Sequence, residues 1–190
     1  MVRVFVEGKD DKNFIVKLLQ DLLKNNQLEV SKEISFEKYI NIMNGKSKLL
    51  DHNQLKYEQV TKEIEIGEIE KVLFIFDCDF EEDDKKCGGI KNSKKCFNNL
   101  VKELSWKIEV DVYIFEKNLD YFLLETINEN ECYEDFKSLV ECLDIEKLKP
   151  NKKPIANLYK NLYPSPQFDF NHPNFNNIKQ KLKNLFEGID

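Results

Sequence analysis

The sequence predicts an α/β fold, a parallel sheet flanked by helices with a helical extension at its C-terminal end. Three observations carry that prediction. Short β-branched and aromatic runs alternate with helix-patterned stretches in the order βαβαβαβ, which calls for a parallel sheet covered on both faces. Two of those runs, residues 2–6 and 72–76, are apolar almost throughout, as strands buried on both faces must be. After Asn118 the pattern becomes helical and is broken by Pro150, Pro154, Pro164 and Pro166.

Taken in order, residues 2–6 (VRVFV) read as a buried strand that stops at Glu7-Gly8. Asp10 or Asp11 is placed to cap the next helix, where Phe14, Ile15, Leu18, Leu19, Leu22 and Leu23 mark one face and Asn25-Asn26 ends it. Residues 39–43 read as a second strand closed by Asn44-Gly45. Residues 49–66 are polar with a helical pattern, broken by Gly67. Residues 72–76 are a strand, 92–104 a helix and 110–115 a further strand. Residues 121–127, 136–148, 155–162 and 178–186 read as helical. The expected organisation is an α/β domain over residues 1–118 and a helical extension, residues 119–190, packed on it.

The 190 residues suit one domain, and a 41% apolar fraction is enough for a core. A net charge of −6 argues against a protein that coats nucleic acid, though not against a local basic track beside an acidic site. The five cysteines form no CxxC pair, and their odd number and the lack of a signal peptide predict a reducing, cytoplasmic setting. The apolar runs are too short to span a bilayer, so no membrane association is expected. His52 and His172 lie far apart, which argues against zinc. Arg3 is the sole arginine, so phosphate binding would fall to lysine.

The candidate chemistry lies where the apolar strands end. In parallel sheets the functional loops leave the carboxyl ends of strands and converge on one edge. Glu7 stands at one such end and Asp77 at another, with Asp79 two residues on; i, i+2 spacing keeps that pair on one side if the strand is still extended. Three hard oxygen donors so arranged suit Mg²⁺ or Mn²⁺, and a divalent cation would offset their repulsion. The plainer alternatives are that Asp10 and Asp11 only cap a helix, that Glu7 ends an ordinary turn, and that residues 81–84 (EEDD) form a solvated loop. A calcium-binding EF-hand is excluded because Glu82 stands where that loop needs glycine.

The stretch VFVEGKDDKNFI resembles the first Toprim motif, an apolar strand followed by Glu-Gly, an acid and a helix. VLFIFDCDF resembles the second, a buried strand ending in Asp-x-Asp. The resemblance covers residues 1–116 and implies a Toprim (Rossmann-like) sheet. Toprim domains occur in topoisomerases, bacterial primases, OLD-family nucleases, small maturation nucleases and recombination mediators. The chain is short for a topoisomerase and lacks the zinc-binding segment of a primase, so it looks most like the small stand-alone Toprim proteins related to OLD-family nucleases. The resemblance implies that Glu7 is a general acid/base or metal contact, that Asp77 and Asp79 bind metal, that Asp11 is the acid following Glu-Gly, and that Gly8 allows a close turn. The family often places a glycine soon after Asp-x-Asp; here Phe80-Glu81-Glu82 intervene and the glycines are Gly88-Gly89. Asp120 or Glu125 would supply a second-metal ligand, the alternative being an amphipathic helix with Phe122, Leu123 and Leu124 inward. Haloacid-dehalogenase phosphatases also use Asp-x-Asp but want Thr or Val where Glu81 stands, and a receiver domain would put its acid pair after the first strand.

Lys85, Lys86, Lys91, Lys94 and Lys95 follow the acidic loop, and Lys9 and Lys12 flank Glu7. Such a strip would hold a phosphodiester backbone, the alternative being a solvated surface. Lys147, Lys149, Lys152 and Lys153 read as plain surface, Tyr159, Tyr163, Phe168 and Phe170 as core, and His172 as a turn residue. The resulting expectation is a Mg²⁺- or Mn²⁺-dependent nuclease-type enzyme acting on DNA or RNA. The alternative is a non-catalytic Toprim module in a repair, recombination or phage-defence complex with a protein partner.

Overall fold

The computed structural model describes residues 1–30, 33–124, 126 and 170–189. Its elements are β1 (Val2–Val6), α1 (Lys9–Lys24), β2 (Ile40–Ile42), α2 (Lys46–Leu49), α3 (Leu55–Glu65), β3 (Lys71–Asp77), α4 (Ile90–Leu104), β4 (Glu109–Phe115), α5 (Leu119–Leu124) and α6 (Asn176–Phe186). The four strands form one all-parallel sheet in the order β2-β1-β3-β4. β1 and β3, the two acid-terminated strands, are adjacent, with Val6 opposite Ile75.

Alternation along the central strands builds two cores, one on each face of the sheet, because successive side chains point to opposite sides. Val2, Val4, Val6, Leu73, Ile75 and Phe115 face a layer made by α1, α5 and α6, whose Phe14, Leu18, Phe122, Ile178 and Phe186 are buried there with Phe175 of the turn before α6. Phe5, Val72, Phe74 and Phe76 face the opposite way, onto Leu49, Tyr57, Val60, Phe97 and Leu100 of α2, α3 and α4. The apolar strands are therefore apolar because both faces are covered. The C-terminal helix shares the first core, with Phe186 edge-on to Phe36 and Tyr39. Phe170 packs against Phe14 and Phe175, in line with a core role.

Three local expectations change. The expected helix over 49–66 is two pieces, because Asp51 turns the chain: its carboxylate accepts from the Asn53 N–H at 3.1 Å and from Gln54 Nε2 at 2.7 Å. The N-cap residue of α1 is Gly8, and Asp11 caps from the third helical position, its carboxylate accepting the Gly8 N–H at 2.8 Å. Gly8 itself is extended (φ −135°), so no tight turn demands glycine there; a Cβ would stand 3.3 Å from Asp11 Oδ2. The helices expected at 136–148 and 155–162, the lysines at 147–153, and Tyr159, Tyr163 and Phe168 lie outside the described residues. His172 is a turn residue as expected, its Nδ1 accepting from the Asn174 N–H at 3.2 Å.

Phe74 is fully buried and packs against Phe5, Tyr57, Phe97 and Trp106, with centroids 5.0 to 6.3 Å away. Phe74→Ala should therefore cost about 3–5 kcal/mol in urea unfolding. A loss below about 1 kcal/mol would show that this aromatic cluster does not hold the second face together.

Candidate functional site

The strand order creates a switch point between β1 and β3: the chain leaves β1 through α1 on one face and leaves β3 through α4 on the other. Open parallel sheets bind ligands at the carboxyl ends of strands flanking such a point. Glu7 follows β1 directly and Asp77 is the last residue of β3. The two meet there, Glu7 Oε1 accepting from the Asp77 N–H at 2.8 Å. Asp77 Oδ1 in turn accepts from the Leu119 N–H, at the start of α5, at 3.1 Å. A cleft of about 340 Å³ opens over this edge, lined by Glu7, Gly8, Lys9, Asp10, Asp11, Asn44, Gly45, Asp77, Asp79, Asn118 and Leu119.

Burial is the dominant influence on the two central acids. It pushes Glu7 up to about 7, opposed by the hydrogen bond from Asp77 and reinforced by the charges of Asp79 and Asp11. It pushes Asp77 up to about 9, reinforced by Glu7, Asp11 and Asp79. Both carboxyls thus sit where charge is disfavoured by low dielectric and by like neighbours.

Asp79 does not extend the strand. β3 ends at Asp77, and Asp79 takes a left-handed conformation (φ 54°), which Asp tolerates better than most residues. Its N–H bonds the Lys117 carbonyl at 2.8 Å, and Lys117 is also left-handed (φ 64°). The i, i+2 rule therefore has no extended strand to act on. Asp79 still lines the cleft, but its carboxylate also stands 3.6 Å from Lys46 Nζ.

Lys46 is the residue that sequence reasoning missed. It opens α2, is 8% exposed, and donates to the carbonyls of Cys78 at 2.7 Å and Cys87 at 2.9 Å. Asp84 lies 3.7 Å from the same nitrogen. Asn44-Gly45 closes β2, and it is the pairing of β2 with β1 in the folded sheet that brings Lys46 to the same edge. Gly45 takes φ 116°, where a side chain is strained, and its N–H bonds the Glu7 carbonyl at 3.0 Å.

The acidic loop after β3 is a closed excursion. Gly89 N–H returns to the carbonyls of Cys78 at 3.1 Å and Asp79 at 3.2 Å, so the glycines distant in sequence are close in space. Gly88 is required by crowding, since a Cβ would lie 2.4 Å from the Phe80 carbonyl oxygen. A disulfide joins Cys87 to Cys96 of α4 with Cα atoms 5.9 Å apart, a pairing that the absence of a CxxC motif did not suggest. Glu81, Glu82 and Asp83 are exposed, as a solvated loop would be, whereas Asp84 is half-buried and its carboxylate is held low by the N–H groups of Cys87 and Lys86 and then by Lys46.

The predicted lysines fall into three groups. Lys9 lines the cleft. Lys12 is drawn to the Glu37 carbonyl at 3.0 Å. Lys85, Lys86, Lys91, Lys94 and Lys95 are all exposed, on the acidic loop and α4. Asp120 belongs to α5, though its side chain is not described, and Glu125 lies outside the described residues; Phe122 and Leu123 point inward.

The chemistry of the donors suits a hard divalent cation: Glu7 and Asp77 offer oxygens only. The hydrogen bonds engage Glu7 Oε1 and Asp77 Oδ1, which makes Asp77 Oδ2 the candidate ligand atom. Among the described residues no three acidic, histidine or cysteine side chains already converge as a metal centre. No helix among the described residues is long and apolar enough to cross a membrane. No family model, curated protein or solved structure matches this chain.

Raised carboxyls have a defined effect on stability. Unfolded, Glu7 and Asp77 should titrate near about 4, so between there and their folded values the folded chain holds more protons. With a chelator present, stability should be greatest below that range and fall as pH rises through about 7 and on toward about 9. Asp77→Asn should flatten the alkaline part of the fall. Thermal unfolding from pH 4.5 to 9 tests this, and equal slopes in wild type and variant would mean that Asp77 is already ionised in the folded chain.

Proposed function

We propose that this chain is a Toprim-type, Mg²⁺- or Mn²⁺-dependent phosphodiester-cleaving protein that acts on nucleic acid. The observation that carries the reading is the meeting of Glu7 and Asp77 at the switch point of adjacent parallel strands. Asp77 would hold the cation with Glu7 beside it and Asp11 and Asp79 on the cleft walls. A cation bound there supplies charge stabilisation for the phosphoryl oxygens. Glu7, whose carboxyl is pushed up by burial from the ordinary carboxylate range in the metal-free chain, would take a proton from water or return one to a leaving oxygen. The backbone N–H of Asp77 fixes Glu7 Oε1 and leaves Oε2 to carry that proton. The exposed lysines of the acidic loop and α4 would bind the phosphate backbone without reading bases.

A second reading, a binding module without catalysis, is favoured by a different observation. The carboxylates of Glu7, Asp77 and Asp11 each accept a backbone N–H, so they also organise the loops that leave the sheet. A protein or nucleic-acid partner would then dock on an edge whose acids serve structure.

Glu7→Gln separates the two. It keeps the shape and the hydrogen bond but cannot carry a proton, so metal-stimulated cleavage of DNA or RNA should fall by roughly 10²–10⁴-fold with nucleic-acid binding little changed. Charge reversal at Lys94 and Lys95 should weaken binding and flatten its salt dependence. Wild-type protein that cleaves neither DNA nor RNA, single- or double-stranded, with Mg²⁺ or Mn²⁺ would leave the binding module as the reading that stands.

A further inference from the structure

Lys46 has surroundings that an ordinary surface lysine does not. Its ammonium lies at the centre of four oxygens: the carbonyls of Cys78 and Cys87 at 2.7 and 2.9 Å, and the carboxylates of Asp79 and Asp84 at 3.6 and 3.7 Å. The same two carbonyls also accept from the hydroxyl of Ser93, at 3.3 and 2.6 Å, and Ser93 is completely buried. The two carbonyls thus converge from the two ends of the acidic loop, Cys78 just after β3 and Cys87 before α4. Two carboxylates and two carbonyls are also the donor set that a hard divalent cation takes. One of those carboxylates, Asp79, lines the cleft that holds Glu7 and Asp77. The oxygen cage therefore borders the candidate metal site, and its cation is covalently part of the chain.

We propose that the ammonium of Lys46 is the resident cation of a second position in the site, so that the site takes one divalent cation rather than two. The proposal rests on the metal-dependent reading above and assigns its stoichiometry. Lys46 is a positioning residue: it touches no reacting atom, but it commits Asp79 and Asp84 to one side of the edge and leaves Glu7 and Asp77 to the other. The ammonium stands between Asp79 and Asp84 at 3.6 and 3.7 Å, where a second metal would otherwise have to offset their mutual repulsion.

The test is a count of bound Mn²⁺, by calorimetry and by the loss of the free-ion signal in electron paramagnetic resonance. Wild type should bind one Mn²⁺ per chain. Lys46→Gln empties the cage of its charge and should raise the count to two, with the second ion bound more weakly. Adding Asp79→Asn to Lys46→Gln should return it to one. Two ions in wild type would overturn the proposal while sparing the metal-dependent reading; none would remove that reading and the proposal with it. A Lys46→Gln protein with wild-type circular dichroism and one ion would also overturn it. Should that variant not fold, Asp84→Asn decides with Lys46 in place: one ion at wild-type affinity supports the proposal, and loss of the ion makes Asp84 a ligand and overturns it.

Discussion

β1 and β3 lie side by side and run the same way, and the chemistry of this molecule follows from that pairing. With Val6 opposite Ile75, the residues that follow each strand emerge at one edge, and a glutamate and an aspartate meet within hydrogen-bonding distance. An antiparallel pairing would have sent them to opposite ends of the sheet. The cost is electrostatic: two carboxyls in a poorly solvated place, each disfavouring the charge of the other. Protons, backbone N–H groups and the ammonium of Lys46 offset it in the folded chain.

The two faces of the sheet share the work of holding that edge. On one, α1 begins directly after Glu7, and Asp11 turns back to bond the backbone at Gly8. On the other, α4 receives the acidic loop, tied to it through the Cys87–Cys96 disulfide and the Ser93 hydroxyl. Asp79 and Lys117 are both left-handed where β3 and β4 stop, and the Asp79 N–H donates to the Lys117 carbonyl. Departures from regular conformation thus gather at the strand exits, the place where open parallel sheets bind ligands.

Lysine has two uses in this chain. Along the acidic loop and α4 it is a solvated charge at the end of a flexible stem, suited to a phosphate backbone. At position 46 it is an interior cation whose donors are directed at fixed oxygens. Composition cannot separate the two, since the difference is the set of atoms that surrounds the nitrogen after folding.

The sequence by itself determined the alternation of strands and helices, the parallel sheet, and the strand ends at which Glu7 and Asp77 stand. Those features are periodic and local: an apolar pentapeptide buried on both faces is legible in its own residues. The break at Asp51, the capping of α1 by Gly8 and the left-handed turn at Asp79 were less legible, because each depends on which hydrogen bond a short polar side chain or a loop backbone finally makes. Only the tertiary structure decided that Lys46 enters the acidic edge, that Gly89 returns to Cys78, and that Cys87 meets Cys96. Those contacts join residues from different strands and loops. Their partners are chosen by the packing of the sheet, and no spacing along the chain encodes that choice.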